Sequence, residues 1–304
     1  MGNSVVIGII VTYYPIVDEV LQSLKSLKDE IDEICLIENG SGLSFQKNLI
    51  HQLQKVKSKI PKLHWISNNI NLGLSKAQNQ GIAYGLSRNF DFFLLLDDDS
   101  ILEKGSVSTM IKYFLTHSEV GIIAPSIIHQ NSKRIQMYPI IHKLGFIYRK
   151  RIHEDQILSN VSTVIASGSL IRNSVIQKIG LMNENFFIDY IDIEYCLRLR
   201  LYGWKIAVLG NSLLIHKLGN EEKVKHMFGA IYPTNHSPLR RYHMTRNRIF
   251  TWRMYAVKFP LWFIYDFSNF IFDLIRFSVF ENQKLTKWKM LWIGLCDGLL
   301  EKKE

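Results

Sequence analysis

The chain has 304 residues, 47% hydrophobic and 21% charged, enough to bury the core of one large domain or two modest ones, which excludes a disordered or low-complexity segment. Its formal net charge of +10 points to anionic partners, whether nucleotide phosphates, acidic headgroups or nucleic acid. The three cysteines, Cys35, Cys196 and Cys296, are far apart and lack C-x-x-C spacing, which excludes a disulfide framework and a zinc site and fits a reducing compartment.

The run Val5 to Val11 is apolar and β-branched and predicts a first strand. No basic residue precedes it and no small-residue cleavage pattern follows, so it is not read as a signal peptide and the protein is expected in the cytoplasm. Val20, Leu21, Leu24 and Leu27 predict a helix from about Asp18 to Lys28. A strand over Ile34 to Ile37, closed by Asn39-Gly40-Ser41-Gly42, a helix over Phe45 to Lys57 and a strand over Leu63 to Ile66 follow. The loop Asn68 to Gly73 leads into a helix over Leu74 to Ser87, and Phe92 to Leu96 is the next strand. This alternation predicts an α/β fold with a mostly parallel sheet and a Rossmann-like nucleotide-binding half.

That last strand ends in Asp97-Asp98-Asp99-Ser100. Carboxylates this dense need a cationic partner, and the D-x-D spacing lets Asp97 and Asp99 present oxygens to one metal at the carboxyl edge of the sheet. Hard oxygen ligands favour Mg²⁺ or Mn²⁺, ions that bridge to substrate phosphates. The competing reading is an exposed acidic turn that caps the next helix through Ser100.

Beyond this point the alternation weakens. Gly121 to Ala124 and Ser162 to Ile171 predict strands, joined by a polar, basic stretch from His129 to Asp155 read as a mobile acceptor-side loop. Ile188 to Tyr202 predicts a helix stopped by Gly203, with a strand over Lys205 to Leu209 behind it. From about Arg240 tryptophans concentrate, and Phe259 to Phe280 is nearly all apolar apart from a stripe of Asp266, Asn269, Asp273 and Arg276. A bilayer span would bury two aspartates and an arginine at about 2.5–3.5 kcal/mol each. An in-plane amphipathic helix avoids that cost, with Arg246, Arg248, Arg253, Lys258, Lys284, Lys287 and Lys289 available to anionic lipid. The alternative is that the stripe packs on the catalytic core or a second subunit. The expected organisation is a catalytic domain over 1–220 and a C-terminal helical region over 221–304.

Taken together, Val11-Thr12-Tyr13-Tyr14-Pro15, Glu38-Asn39-Gly40-Ser41, Asn71-Leu72-Gly73 with Ala77-Gln78-Asn79 and Gly81, and Asp97-Asp98-Asp99 resemble the nucleotide-sugar half of a GT-A family 2 glycosyltransferase. Ala166-Ser167-Gly168-Ser169, Gly180 to Phe187, and Asp189-Tyr190-Ile191-Asp192-Ile193-Glu194 through Gly203-Trp204 resemble its acceptor half. The form Phe-Ile-Asp-Tyr-Ile-Asp-Ile-Glu, with Gln78 in the donor loop, is most similar to the rhamnosyltransferase branch, which builds bacterial surface polysaccharides. The resemblance implies an inverting, metal-dependent hexosyl transfer, with dTDP-L-rhamnose as donor and a saccharide or lipid-linked saccharide as acceptor. A UDP-hexose donor on the same fold, and a non-catalytic membrane-surface protein, are the alternatives. Ile191 and the Trp-rich tail motivate the second, and Asp97, Asp99 and Asp192 argue against it.

Within that resemblance Thr12 and Tyr14 shape a base pocket, and Glu38 accepts the imide N–H of uracil or thymine. The family carries aspartate there, so glutamate implies a displaced base or a different contact. Asn71 and Gly73 open a helix whose free N–H groups face phosphate, with Gln78 in the same loop-to-helix segment. Asp97 contacts the ribose and Asp99 ligates the metal; Asp98 touches either. His216, after the strand-like Leu213 to Ile215, resembles the third metal or diphosphate ligand. Asp192 matches the aspartate of the family's Glu-Asp motif and is the expected base, although Ile191 stands where the motif has glutamate. On an ideal helix Asp189 would share its face. Arg246 and Asn247 resemble the Arg-Asn pair that follows the core in this branch; Arg246 is read as bracing the C-terminal helices, with a phosphate clamp as the alternative. Nucleic-acid binding lacks any supporting motif, and no G-x-G-x-x-G follows the first strand as a dinucleotide-binding dehydrogenase requires.

Overall fold

Each early apolar run is followed by an amphipathic helix that returns the chain across the sheet, and this makes the strands parallel. The computed structural model describes residues 4–217, 224–226, 229–231 and 233–300. In chain order the first half comprises β1 (Val6–Thr12), α1 (Val17–Ser26), β2 (Glu33–Asn39), α2 (Leu43–Val56), β3 (Lys62–Asn68), α3 (Leu74–Ser87) and β4 (Phe92–Asp97). Next come β5 (Ile101–Leu102), α4 (Ser106–Thr116), β6 (Val120–His129), β7 (Met137–Ile141), β8 (Ile147–Arg151) and β9 (Ile157–Leu158). β10 (Leu170–Arg172), α5 (Asn173–Ile179), α6 (Ile191–Leu201), β11 (Lys205–His216), β12 (Val224–His226) and β13 (Gly229–Ile231) precede the final helices α7 (Pro238–Tyr255), α8 (Pro260–Phe280) and α9 (Lys284–Leu299).

The main sheet runs β3-β2-β1-β4-β10-β6-β11-β5, with β9 paired to β11. β1 to β4 are parallel, whereas β10 is antiparallel to both β4 and β6. Strand alternation splits the core between the two faces. Ile7, Ile9, Phe93 and Leu95 pack with α3 and α6 on one side, and Val6, Ile10, Leu94 and Leu96 with α1 and α4 on the other. β4 therefore delivers its aspartates from the centre of the sheet.

Three predicted segments differ. Of Ser162 to Ile171 only the end is strand, as β10; residues before it form a turn in which Gly168 N–H donates to Leu95 O at 2.8 Å. The stretch from His129 to Asp155 carries the antiparallel hairpin β7–β8, anchored by Tyr138, whose hydroxyl donates to Pro125 O at 2.8 Å. The helix predicted from Ile188 starts instead at Ile191, because Asp189 and Tyr190 are both left-handed, with φ of 64° and 65°.

The polar stripe of α8 faces inward. Asp266 accepts from Tyr190 Oη (3.0 Å), Arg248 Nε (3.1 Å) and Trp252 Nε1 (2.8 Å). Asp273 pairs with Arg241 and Arg276, and Arg241 also bonds Glu281, which holds Lys287 at 2.7 Å. Arg246, Arg248 and Lys287 are thus buried, which corrects their assignment to a lipid-facing set. No helix among the described residues is long and apolar enough to cross a membrane. The 220/221 division expected from sequence falls outside the described residues.

Removing one partner of a buried charge cluster strands the other. Asp266→Ala is expected to lower unfolding stability by about 3–5 kcal/mol, measured by urea denaturation.

Candidate active site

Asp97 ends β4, and Asp99 sits in the turn after it, where His216 arrives from the end of β11. Ligand atoms of Asp97, Asp99 and His216 all lie within 4.8 Å of one another. His216 Nδ1 is 2.8 Å from Ser100 Oγ and 3.8 Å from Asp97 Oδ2. Ser167 Oγ links the group: it donates to Ser100 Oγ at 3.1 Å and accepts the Asp97 N–H at 3.1 Å. Burial, then the charges of Asp99 and Asp97, push the Asp98 carboxyl up to about 8; burial and Asp97 also raise Asp99. A divalent cation relieves such crowding, so two carboxylates and an imidazole fit one. Ser100 is buried in this network, and the alternative in which it merely caps an exposed turn is set aside.

The opposite rim is a network of amides. Asn39 Oδ1 accepts from Leu72 N–H (3.1 Å) and Asn68 Nδ2 (3.0 Å), while Asn39 Nδ2 donates to Asn71 Oδ1 (2.9 Å). Asn71 Oδ1 also accepts the Gly73 N–H at 2.9 Å. Gly73 has a φ of +86°, and a Cβ there would come within 2.8 Å of Phe187 Cδ2, so glycine is required twice over. Glu38 is fully buried: its carboxylate accepts the Ser41 N–H at 2.7 Å and Gln46 Nε2 at 2.5 Å. Ser41 Oγ in turn accepts the Tyr14 N–H at 2.7 Å, and Tyr14 is left-handed with φ 48°. Tyr13 and Tyr14 are exposed and meet edge to face, whereas Thr12 is buried beneath them.

The N-terminus of α3 makes two bonds to the Phe186-Phe187 segment. Its Leu74 N–H donates to Phe187 O at 2.7 Å and Ser75 Oγ to Phe186 O at 2.6 Å. Asn79 fastens Met182 through both its backbone N–H (2.9 Å) and carbonyl (3.0 Å). The helix therefore docks the acceptor-side segment. Gln78, one turn in, is buried with its carbonyl oxygen unpartnered and lines a small cavity with Ala166, Met182, Asp192 and Tyr195.

Asp192 lies in the first turn of α6, and Asp189 is not on its helical face. Burial raises the Asp192 carboxyl to about 6, opposed by the Ile193 N–H, which donates at 2.8 Å, and assisted by the Asp189 charge. The Ala166 backbone also bonds Asp192, so one turn, Ala166-Ser167, holds both Asp192 and the aspartate run. Asp189 is engaged by Arg240, with Nε and Nη2 at 3.0 and 2.9 Å, and the Asp97 charge also reaches this guanidinium. Arg246 is fully buried and donates to Asn185 O at 3.1 Å; Asn247 Nδ2 donates to the carbonyls of Ile188 (2.9 Å) and Asp189 (3.1 Å).

Ser167 and Asn39 stand inside the motifs quoted above without a role assigned to them, and Arg240 was not singled out as a site residue. Arg240 and Asp189 are 51 residues apart, and no local spacing joins them. The Asn39, Asn68 and Asn71 run of polar residues at strand ends was the available signal for the amide network.

Two carboxylates and an imidazole that could hold a metal at the carboxyl edge of the sheet, with a half-buried carboxylate of raised pKa tied to the same turn, suit glycosyl transfer. Residues 4–180 match the model of glycosyl transferase family 2, and the chain belongs to that family with a GT-A fold. It is similar to dTDP-rhamnosyl transferase RfbF of Shigella flexneri, with 28% identity over 98% of this chain and 96% of the relative. It is also similar to the low-salt glycan biosynthesis hexosyltransferase Agl10 of Haloferax volcanii, at 24% identity over 77% and 73%. Among solved structures, TarS 1-349 of S. aureus in complex with UDP-GlcNAc superposes with a TM-score of 0.58, at 14% identity over 97% of this chain and 80% of that one. GalNAc-T7 with UDP, GalNAc and Mn2+ gives 0.62 at 12% identity, covering 86% of this chain, which spans about half (49%) of that structure.

Mn²⁺ is expected to raise the melting temperature of the wild type and not of Asp99→Ala, while EDTA reverses the gain; differential scanning fluorimetry checks this.

Proposed function

We propose that the protein transfers L-rhamnose from dTDP-L-rhamnose, with inversion, to a saccharide or lipid-linked saccharide acceptor of a bacterial surface polysaccharide, at the cytoplasmic face of the cell. The observation that carries the donor is the end-to-end similarity to a dTDP-rhamnosyl transferase. The unpaired cysteines support the compartment. Residues 1–220 are proposed as the catalytic unit and 221–304 as a helical region that braces it.

In this reading the nucleotide lies across the carboxyl edge, its base against Tyr13 and Tyr14. Glu38 acts at one remove, holding Ser41 and through it the Tyr14 backbone, because both its oxygens are already engaged. Asn71 and Gly73 fix the loop that carries the donor half onto Phe187. Asp97 and Asp98 face the ribose and Asp97, Asp99 and His216 hold Mn²⁺ or Mg²⁺. The bound cation supplies charge stabilisation to the departing diphosphate. Arg240 presents a guanidinium toward the same charge, with Asp189 as its positioning residue. Asp192 takes the proton of the acceptor hydroxyl as that oxygen attacks the anomeric carbon. Gln78 lines the small cavity beside Asp192 and shapes the wall behind that carboxylate.

The donor is tested by thermal stabilisation with dTDP-rhamnose, UDP-glucose and UDP-galactose in Mn²⁺. Rhamnose-donor preference is the expected result, and a leading UDP-sugar overturns the rhamnosyl assignment while keeping the enzyme. Asp192→Asn should cut turnover by about 10²–10⁴-fold with donor stabilisation intact. As the ionised form is the base and its pKa is raised to about 6, kcat/KM should hold above that pH and fall about tenfold per unit below it. A flat profile from pH 5 to 8 removes Asp192 from the role.

A further inference from the structure

With the acids of α8 turned inward, its apolar residues are left outside. Leu261, Ile264, Phe267, Ile271, Phe272, Ile275 and Val279 are all exposed, Ile264 by 60% and Phe272 by 58%. At 3.6 residues per turn they occupy an arc about 140° wide and about 27 Å long. The opposite arc holds Trp262, Asp266, Phe270 and Phe277, which are buried.

The β7–β8 hairpin extends this face. Its tip lies beside the start of α8, where a Cβ on Gly145 would stand 2.8 Å from Leu261 Cδ1. Arg149 locks the two together through Tyr265 Oη (2.9 Å) and Asn269 Oδ1 (3.0 Å). Leu144 at the tip is 79% exposed and Phe146 45%. Lys143, Lys150 and Arg151 are exposed on the hairpin, and Lys258 and Lys284 flank α8. Among described residues 137–151 and 256–285 no exposed carboxylate accompanies them: Asp266 and Glu281 are buried, and Asp273 is paired to Arg241 and Arg276.

We infer that the hairpin tip and the outer face of α8 form a docking surface for an anionic lipid bilayer, with α8 lying in the plane of the interface. An apolar face bordered by exposed Lys143, Lys150, Arg151, Lys258 and Lys284 fits acidic headgroups around an acyl boundary. A second copy of the chain, itself at +10, would set lysine against lysine across a two-fold contact. The inference deepens the lipid-linked acceptor reading and rests on it for why a bilayer is near. The contact itself is measured without donor or acceptor.

The test is flotation of the full chain with phosphatidylglycerol-containing vesicles and with pure phosphatidylcholine vesicles, at low and high salt. The wild type should float with the anionic vesicles and lose that binding on added salt. Two variants on different elements, Phe267→Glu with Ile271→Glu, and Lys143→Glu with Lys150→Glu, should each weaken binding by at least about tenfold. Both should keep their thermal stabilisation by dTDP; should the first fail to fold, the second still decides. Wild type unbound to anionic vesicles, or binding unchanged in a folded variant, overturns the inference. So does a dimer in sedimentation equilibrium that Phe267→Glu with Ile271→Glu dissolves, since a second copy then covers the face. Lipid binding in a protein that no nucleotide stabilises would instead leave the surface standing and remove the proposed enzyme function.

Discussion

The site depends on a strained pair of residues. Asp189 and Tyr190 both hold left-handed backbone, a conformation that costs non-glycine residues roughly 1–2 kcal/mol each. Their neighbours over-determine it: Asn247 bonds the carbonyls of Ile188 and Asp189, Arg240 grips the Asp189 carboxylate, and Arg248 with Asp266 fixes the Tyr190 hydroxyl. All of these donors come from α7, so a helix distant in sequence sets where α6 starts. Because α6 starts at Ile191, Asp192 falls in its first turn, with its carboxylate bonded by the Ile193 N–H and the Ala166 backbone. Strain kept at such a position is affordable only where surrounding contacts enforce it.

A second constraint ties the halves of the sheet. The turn before β10 sits beside β4, with Leu95 bonded to Ser169 and Gly168, and its Ser167 hydroxyl holds the Asp97 backbone. The same turn bonds Asp192. Any shift of this turn moves the aspartate run and the raised-pKa carboxylate together, which keeps their relation fixed without direct contact. On the donor side neutral amides do comparable work. Asn39, Asn68, Asn71 and Gln80 satisfy one another and the loop backbone, so the loop is shaped by uncharged groups.

The first four strands and the aspartate run were readable because buried parallel strands are unbroken apolar segments and a charge cluster at the end of one stands out. Helical periodicity failed at Ile188, since the pattern continues through residues whose backbone is set by α7 rather than by local preference. β8 was read as loop because its sequence, Ile-Tyr-Arg-Lys-Arg, is exposed and charged and carries no buried face. What Thr12, Glu38 and Gly73 touch was not legible in the sequence: Glu38 is committed to Ser41 and Gln46, and the Leu74 N–H that follows Gly73 to Phe187. Arg240 carried no local signal at all. Its meaning lies in a partner 51 residues away.

The acids of α8 show how one set of residues can answer two demands. Read as sequence, Asp266 and Asp273 argue against lipid contact, because either would be costly in a bilayer. In the fold they are spent on the core: Asp266 closes the Tyr190–Arg248–Trp252 cluster beneath the Asp189–Tyr190 turn, and Asp273 secures Arg241. Their inward commitment is what orients the helix, and the orientation leaves seven large apolar side chains outside, bordered by exposed Lys143, Lys150, Arg151, Lys258 and Lys284. The helix that supports the turn before Asp192 is therefore the helix that presents the apolar face. A surface seated on that face would be rigidly related to the turn before Asp192 through Asp266 on Tyr190, Asp273 on Arg241, and the Arg149 bonds that tie the hairpin to Tyr265 and Asn269.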